Sequence, residues 1–252
     1  MKSENNTRII VLAAGKSTRM KSDIPKALMP FQGKAFIEHI LDTIKKLNLN
    51  TKPVIVIGHK KELIKETLGN DQVYALQEEQ LGTGHAVLSA KNAVGSTNDT
   101  ILVMATDQPL VSKKTLESLL KKHLEKKVSL TIGTVTVPDF ADWRMGLYHF
   151  GRIVRGVNGT IEKIVEFKDA NDEEKNIKEL NPALYVFDAK WLWDNIDKLK
   201  NHNAQGEYYL TDLVKMACDE NEKIESVQIE NIHEALQPNC QEDLLMLEKV
   251  TS

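Results

Sequence analysis

Four short runs of aliphatic and β-branched residues recur through the first half of the chain, each followed by a segment of helical period. Residues 8–13 (RIIVLA), 53–57 (PVIVI), 73–77 (VYALQ) and 100–105 (TILVMA) are largely apolar at successive positions. Strands of this kind need cover on both faces, which is the condition of a parallel sheet between helices. In the stretch 36–47, Phe36, Ile37, Ile40, Leu41, Ile44 and Leu47 fall on one helical face. Segments 61–68, 84–93 and 113–126 read as helices in the same way. Repeated strand–helix–strand units predict an α/β fold with a Rossmann-like, mostly parallel sheet flanked by helices. Beyond residue 127 the pattern loosens into strand-like runs at 128–137, 152–155, 161–167 and 180–187. These are expected to add an antiparallel strand region. Helices are then expected at about 190–199, 207–218 and 241–250, with a strand at 224–229. The charged run 169–178 (DANDEEKNIK) reads as solvated surface.

Composition narrows the function classes. The chain has 252 residues, and 33 Lys+Arg against 36 Asp+Glu leave a net charge of -3. General nucleic-acid binding lacks an electrostatic footing on such a surface. The apolar run 9–14 is far shorter than the ~20 residues of a membrane span. No membrane association is therefore expected. Two cysteines, Cys218 and Cys240, stand in no metal-ligand spacing, so neither a disulfide framework nor structural zinc is expected, and the chain reads as cytoplasmic. Its partners should be small molecules.

The turn after the first strand, LAAGKSTRM (residues 12–20), sits where α/β folds bind ligands, beyond the carboxyl ends of the strands. Its Gly15-Lys16-Ser17 step is not a P-loop, because that motif needs a glycine at position 10, which is Ile10. It is not a dinucleotide fingerprint either, since Gly15 is its only glycine. Small residues Ala13, Ala14 and Gly15 would let backbone N–H groups approach a phosphate, and Arg19 offers a bidentate donor. A tight strand-to-helix turn with a surface Arg fits the turn alone equally well. Lys26 follows Pro25, which stiffens its loop, and the two cations together could grip a polyphosphate.

With IPKAL at 24–28 added to LAAGKSTRM, the chain resembles the sugar-phosphate nucleotidyltransferases. Within them it resembles the uridylyltransferase domain of bacterial bifunctional N-acetylglucosamine-1-phosphate uridylyltransferase/glucosamine-1-phosphate acetyltransferases. QEEQLGTGHA (77–86), DQPLVS (107–112), Gly151-Arg152-Ile153, IVEFKD (164–169), NAQGEYYLTD (203–212) and Asn239 follow in the family's order. The resemblance covers roughly residues 7–250. It implies transfer of UMP from UTP to a sugar 1-phosphate, with Mg²⁺ as cofactor and N-acetylglucosamine 1-phosphate as the first acceptor to consider. The same chemistry on another sugar 1-phosphate or nucleotide, and an idle nucleotide-sugar-binding paralogue, are the alternatives.

Carried over position by position, the resemblance makes Arg19 and Lys26 the catalytic cations. Asp107 and Asn239 become the metal ligands, a carboxylate and a neutral amide oxygen that suit Mg²⁺. Leu12, Ala13, Gly15, Gln77, Gln80, Gly82 and Thr83 form the nucleotide pocket, where the Gln77 amide matches both the carbonyl and N–H edge of uracil. Thr106, Gly151, Glu166 and Asn181 contact the sugar. Without the resemblance, Asp107 could be a helix cap, although Ser112 is better placed for that task. Departures from the family cluster near the sugar: Ala105-Thr106 stands for Tyr-Gly, Pro182-Ala183 for Thr-Gly, and the segment 137–150 is longer. Ser17 also replaces a glycine. One nucleotidyltransferase domain is expected, with a nucleotide-binding half to about residue 127 and a sugar-binding half after it, as a monomer or small homo-oligomer. No hexapeptide-repeat acetyltransferase domain is expected.

Overall fold

A computed structural model describes residues 6–15, 20 and 23–251. The first half supplies strands β1 (Thr7–Leu12), β2 (Pro30–Phe31), β3 (Lys34–Ala35), β4 (Val54–Ile57), β5 (Val73–Leu76) and β6 (Thr100–Ala105). The second supplies β7 (Leu130–Thr136), β8 (Gly151–Arg155), β9 (Ile161–Val165), β10 (Glu179–Asn181), β11 (Tyr185–Asp188) and β12 (Ile224–Gln228). The main sheet runs β5-β4-β1-β6-β11-β7-β10-β8-β9, with β12 added parallel to β7, while β2 and β3 form a separate ribbon. β5, β4, β1 and β6 are mutually parallel, and β11 lies antiparallel between β6 and β7.

Strands β1, β4 and β6 meet the expected cover, whereas β5 at the sheet edge does not, with Val73 and Tyr74 half-buried and Leu76 exposed. In β1 Ile10 belongs to the core on one face, against helices Thr83–Ser89 and Asp212–Asp219. Its neighbours Ile9 and Val11 join the opposite core, with Ile40 of helix Phe36–Lys45 and Leu116 of helix Lys113–Lys126. Ser112 caps the last of these helices by accepting from the Thr115 N–H. Ser112, not Asp107, therefore does the capping.

Three expectations change. The expected strand 180–187 is two strands, β10 and β11, that pair with successive parts of β7. Pro182 has no N–H to give to a ladder and Ala183 takes a left-handed φ of 60°, so the run breaks there. The expected helix 207–218 begins only at Asp212. Before it the backbone is tied to the 81–84 loop, Tyr208 N–H donating to the Leu81 carbonyl at 2.8 Å and Gly84 N–H to that of Tyr208 at 2.8 Å. Segment 84–93 is two helices, Thr83–Ser89 and Lys91–Val94, separated at Ala90. Within the longer segment 137–150, Asp142–His149 forms a 3₁₀ helix. The charged run carries one capped turn of helix, Asp172–Lys175, with no buried residue.

Candidate functional site

Two hollows open beyond the carboxyl ends of β1 and β6 and share Leu12, Thr83, Ala105 and Asp107 in their walls. The narrower, of about 520 Å³, is lined by Leu12, Ala13, Ala14 and Gly15 from the turn after β1. Gln77, Gln80, Gly82 and Thr83 close its other side. All seven residues expected at the nucleotide are thus brought together. Ala13 N–H donates to the Val56 carbonyl, which fixes the start of the turn against β4. Gly15 has open space where a side chain would begin among the described residues, so no contact from them demands glycine there.

Gln77 is buried, and its amide nitrogen donates to the Gly82 carbonyl at 3.1 Å. Gln80 in turn donates to the Gln77 carbonyl at 3.1 Å. Gly82 has a φ of 110°, and a Cβ on it would lie 2.7 Å from the Tyr208 carbonyl oxygen. Glycine is required here by both conformation and crowding. The Thr83 hydroxyl accepts from the Leu210 N–H at 3.0 Å, so the run 207–211 forms the back of the glutamine loop.

Asp107, just beyond β6, lies at the junction of the hollows. The Lys26 ammonium donates to Asp107 Oδ2 at 2.6 Å and to Asn239 Oδ1 at 2.8 Å. Three residues separated by as many as 213 positions therefore converge on one charge. Pro25, with φ of -64°, leads into the 3₁₀ turn Lys26–Leu28 that aims this lysine. Asn239 is held by its own N–H, which donates to Asp243 Oδ2, and by its amide N–H on the Gln237 carbonyl. Its side-chain oxygen thereby faces the junction. Asp107 Oδ1 is buried with no hydrogen-bond partner among the described residues. An orphaned carboxylate oxygen beside an amide oxygen is a donor set that fits a hard divalent cation. Among the described residues no group of three or more His, Cys, Asp or Glu could hold a metal, so most of its other ligands would be phosphate oxygens and water. Arg19 lies outside the described residues.

The wider hollow, of about 760 Å³, contains Gly151, Glu166 and Asn181. Gly151 opens β8 and pairs across the ladder with Asn181. The Asn181 oxygen accepts from Ala183 N–H at 3.1 Å and its nitrogen donates to the Tyr185 hydroxyl at 2.7 Å. Glu166 accepts from the Thr211 hydroxyl at 3.0 Å. Burial raises its carboxyl above the ordinary range, the Thr211 hydrogen bond opposes that rise, and Asp212, Asp169 and Glu207 add to it. Thr106 is placed differently from the other three: it lines the narrower hollow, and its N–H and hydroxyl both donate to the Leu12 carbonyl.

Sequence reasoning did not single out Thr211, Tyr185 or Glu207 as site residues, although Thr211 and Glu207 stand inside the NAQGEYYLTD motif. It also assigned no role to Trp143, Met145 and His149, which line the wider hollow from the long 137–150 segment. Their clue was the segment's extra length.

Comparison with known proteins matches residues 9–210 to the MobA-like NTP transferase domain. The bifunctional protein GlmU of Exiguobacterium sibiricum is 43% identical over 230 residues, 91% of this chain and 49% of that protein. GlmU of Bacillus licheniformis is 42% identical over 230 residues, again 91% and 49% of the two chains. That of Bacillus cereus strain AH187 is 42% identical over 235 residues, 93% and 50%. The chain spans about half the length of these curated relatives. Among solved structures, a UDP-glucose pyrophosphorylase complexed with UDP-glucose superposes with a TM-score of 0.76 at 15% identity, covering 97% of this chain and 98% of the other. That likeness supports the nucleotidyltransferase fold, a mixed sheet with a parallel centre flanked by helices.

Proposed function

Because the chain belongs to the MobA-like NTP transferase domain family, we propose that it transfers UMP from UTP to a sugar 1-phosphate. N-acetylglucosamine 1-phosphate is the acceptor its motifs favour. A phosphate oxygen of the sugar attacks the α-phosphorus, the bond from that phosphorus to the bridging oxygen breaks, and pyrophosphate leaves with the electron pair. The observation that carries this reading is the convergence of Lys26, Asp107 and Asn239 where the two hollows meet. Nucleotide and sugar phosphate bound in neighbouring hollows would bring their phosphates to that junction, and holding them there supplies most of the catalysis that phosphoryl transfer needs.

Each residue has a task within this reading. The turn 12–15 offers backbone to the nucleotide, and the buried Gln77, oriented by Gly82, faces the base. Gln80 and Thr83 shape the same wall. Lys26 places positive charge beside the transferred phosphoryl group, and Arg19 is assigned the leaving pyrophosphate. Asp107 and Asn239 would hold Mg²⁺, which when bound neutralises phosphate charge and orients the oxygens. Glu166 and Asn181 meet sugar hydroxyl or acetamide groups beside Gly151. Thr106, held on the Leu12 carbonyl, would reach the acceptor only from the nucleotide side.

The test is pyrophosphate release across a matrix of nucleoside triphosphates and sugar 1-phosphates with added Mg²⁺. Asp107→Ala should lower kcat by ~100-fold or more without loss of fold, since it removes the only carboxylate proposed for the metal. Release from no combination, or near-normal turnover by a folded Asp107→Ala chain, would overturn the proposal.

A further inference from the structure

The wider hollow is larger than a hexose ring fills, and its outer wall differs in chemistry from its floor. Gly151, Glu166 and Asn181 make the floor polar, whereas half-buried Trp143 and exposed Met145 of the 3₁₀ helix and half-buried Met246 of helix Gln241–Thr251 add apolar surface to the outer wall. Trp143 is fixed edge-on to His233, with ring centroids 4.6 Å apart. Met145 is 65% exposed, so its thioether is open to a ligand in the hollow. Methionines adapt to irregular apolar shapes while a packed indole gives them a rigid backing. The charge of this hollow is one-sided. Asp142, Glu166, Glu242 and Asp243 line it together with Asp107, whose charge Lys26 balances at the junction, and no Lys or Arg is in its wall among the described residues.

We infer that this outer wall is a specificity subsite for an uncharged apolar substituent on the sugar, in particular an N-acyl chain longer than acetyl, and that it rejects substituents ending in a carboxylate. The chain path supports the connection. Asn181, whose amide can meet a sugar amide, pairs with Gly151, and Gly151 directly follows Phe150 and the wall segment. An acyl tail leaving the floor at that point would run along Phe150 toward Met145 and Met246. The acidic rim sets the sign: a terminal carboxylate there would face like charges, whereas an alkyl end would gain apolar contact. This inference rests on the wider hollow being the sugar-phosphate site.

The experiment compares glucosamine 1-phosphates bearing N-acetyl, N-butanoyl and N-succinyl groups, the last two matched in chain length and differing in the terminal carboxylate. The expected result is kcat/KM for N-butanoyl at least equal to that for N-acetyl, and N-succinyl ~100-fold lower than N-butanoyl. Trp143→Ala should reduce the butanoyl-to-acetyl ratio ~10-fold. Met145→Ala, at an exposed position that does not threaten folding, should reduce it in the same direction. A wild-type ratio below ~0.1, a ratio unmoved by both variants, or equal use of succinyl and butanoyl would each overturn the subsite. Calorimetric binding of the same three compounds reads the same ratios without turnover. Binding selectivity without turnover would refute the proposed reaction and leave the subsite standing, whereas turnover without selectivity would do the reverse.

Discussion

Replacing Arg152 should expose how the wider hollow is held together. This residue is 0% exposed, and no carboxylate pairs with it among the described residues. Its guanidinium instead donates to three carbonyls: that of Phe150, that of Tyr148 at 2.7 Å, and that of Lys175 at 3.1 Å. The rings of Phe140, Tyr148 and Phe167 surround it, with centroids 5.1, 5.6 and 5.5 Å away. Burial lowers its pKa from the ordinary guanidinium value, the mark of a charge whose lost hydration is incompletely replaced. Arg152→Met leaves three carbonyls without their donor, at about 1–3 kcal/mol each if none rehydrates. It also forfeits ring contacts of roughly 0.5–2 kcal/mol each. Against this, removing the charge recovers a desolvation cost of several kcal/mol. The balance favours a net loss of about 3 kcal/mol, while Arg152→Lys, which keeps the charge but not the fork, should lose about half. Urea denaturation measures both. Because Phe150 and Gly151 line the wider hollow, Arg152→Met should also raise KM for the sugar phosphate more than KM for UTP. A loss below ~1 kcal/mol would refute the reasoning by showing that the carbonyls find other partners without difficulty.

Gly82→Ala should cost about 3 kcal/mol in thermal or urea unfolding, because the added Cβ would meet Tyr208 backbone at 2.7 and 2.8 Å in a left-handed conformation; wild-type stability would show that the loop moves aside freely. His123 is buried and its imidazole is pushed down to about 4 by loss of hydration, with Asp188 opposing. The unfolded chain then takes up this proton first as pH falls. Stability should be complete above pH ~7.5 and decline by about 3 kcal/mol through 6.5 to 4 from this group. His123→Gln should flatten that part of a pH-dependent denaturation profile, and an unchanged slope would place the acid sensitivity elsewhere.

Local pattern was a good guide wherever one element's own faces decide its conformation. The runs around β1, β4, β5 and β6 are apolar on both sides, and helices 61–68 and 113–126 begin and end where their periodicity does. The failures have more than one physical cause: strand 180–187 is split by its own Pro182 and Ala183, and the start of helix 212–219 is set by distant partners. Nothing within 207–211 announces that Tyr208 will bond to the loop at 81–84 instead of entering a helix. In the candidate site, the turn 12–15 alone fitted a phosphate turn and a plain strand-to-helix turn equally, and the 77–83 wall entered only through the family resemblance. The meeting of Lys26, Asp107 and Asn239 was accessible only through family resemblance, because no spacing rule joins positions this far apart. Thr106 shows the converse: the resemblance put it at the sugar, whereas its hydroxyl goes to the Leu12 carbonyl and it lines the narrower hollow.

The break at Pro182–Ala183 links these levels most directly. An uninterrupted strand from 180 to 187 would continue its ladder with β7 and direct successive side chains to alternate faces. Instead Pro182 withholds a donor, Ala183 turns left-handed, and its freed N–H goes to the Asn181 side chain. Beyond the break β11 resumes, and Tyr185 supplies the second partner of the same amide. Asn181 is therefore oriented by the discontinuity. The Pro182 carbonyl, also released from the ladder, accepts from the Gln237 side chain at 3.0 Å, and Gln237 lies two residues before Asn239. One interruption in a strand thus anchors both the Asn181 amide in the wider hollow and the loop that brings Asn239 to Lys26. Changes at 182 and 183 should consequently act on acceptor choice and on the junction together, a coupling that a pocket built from independent loops would not have.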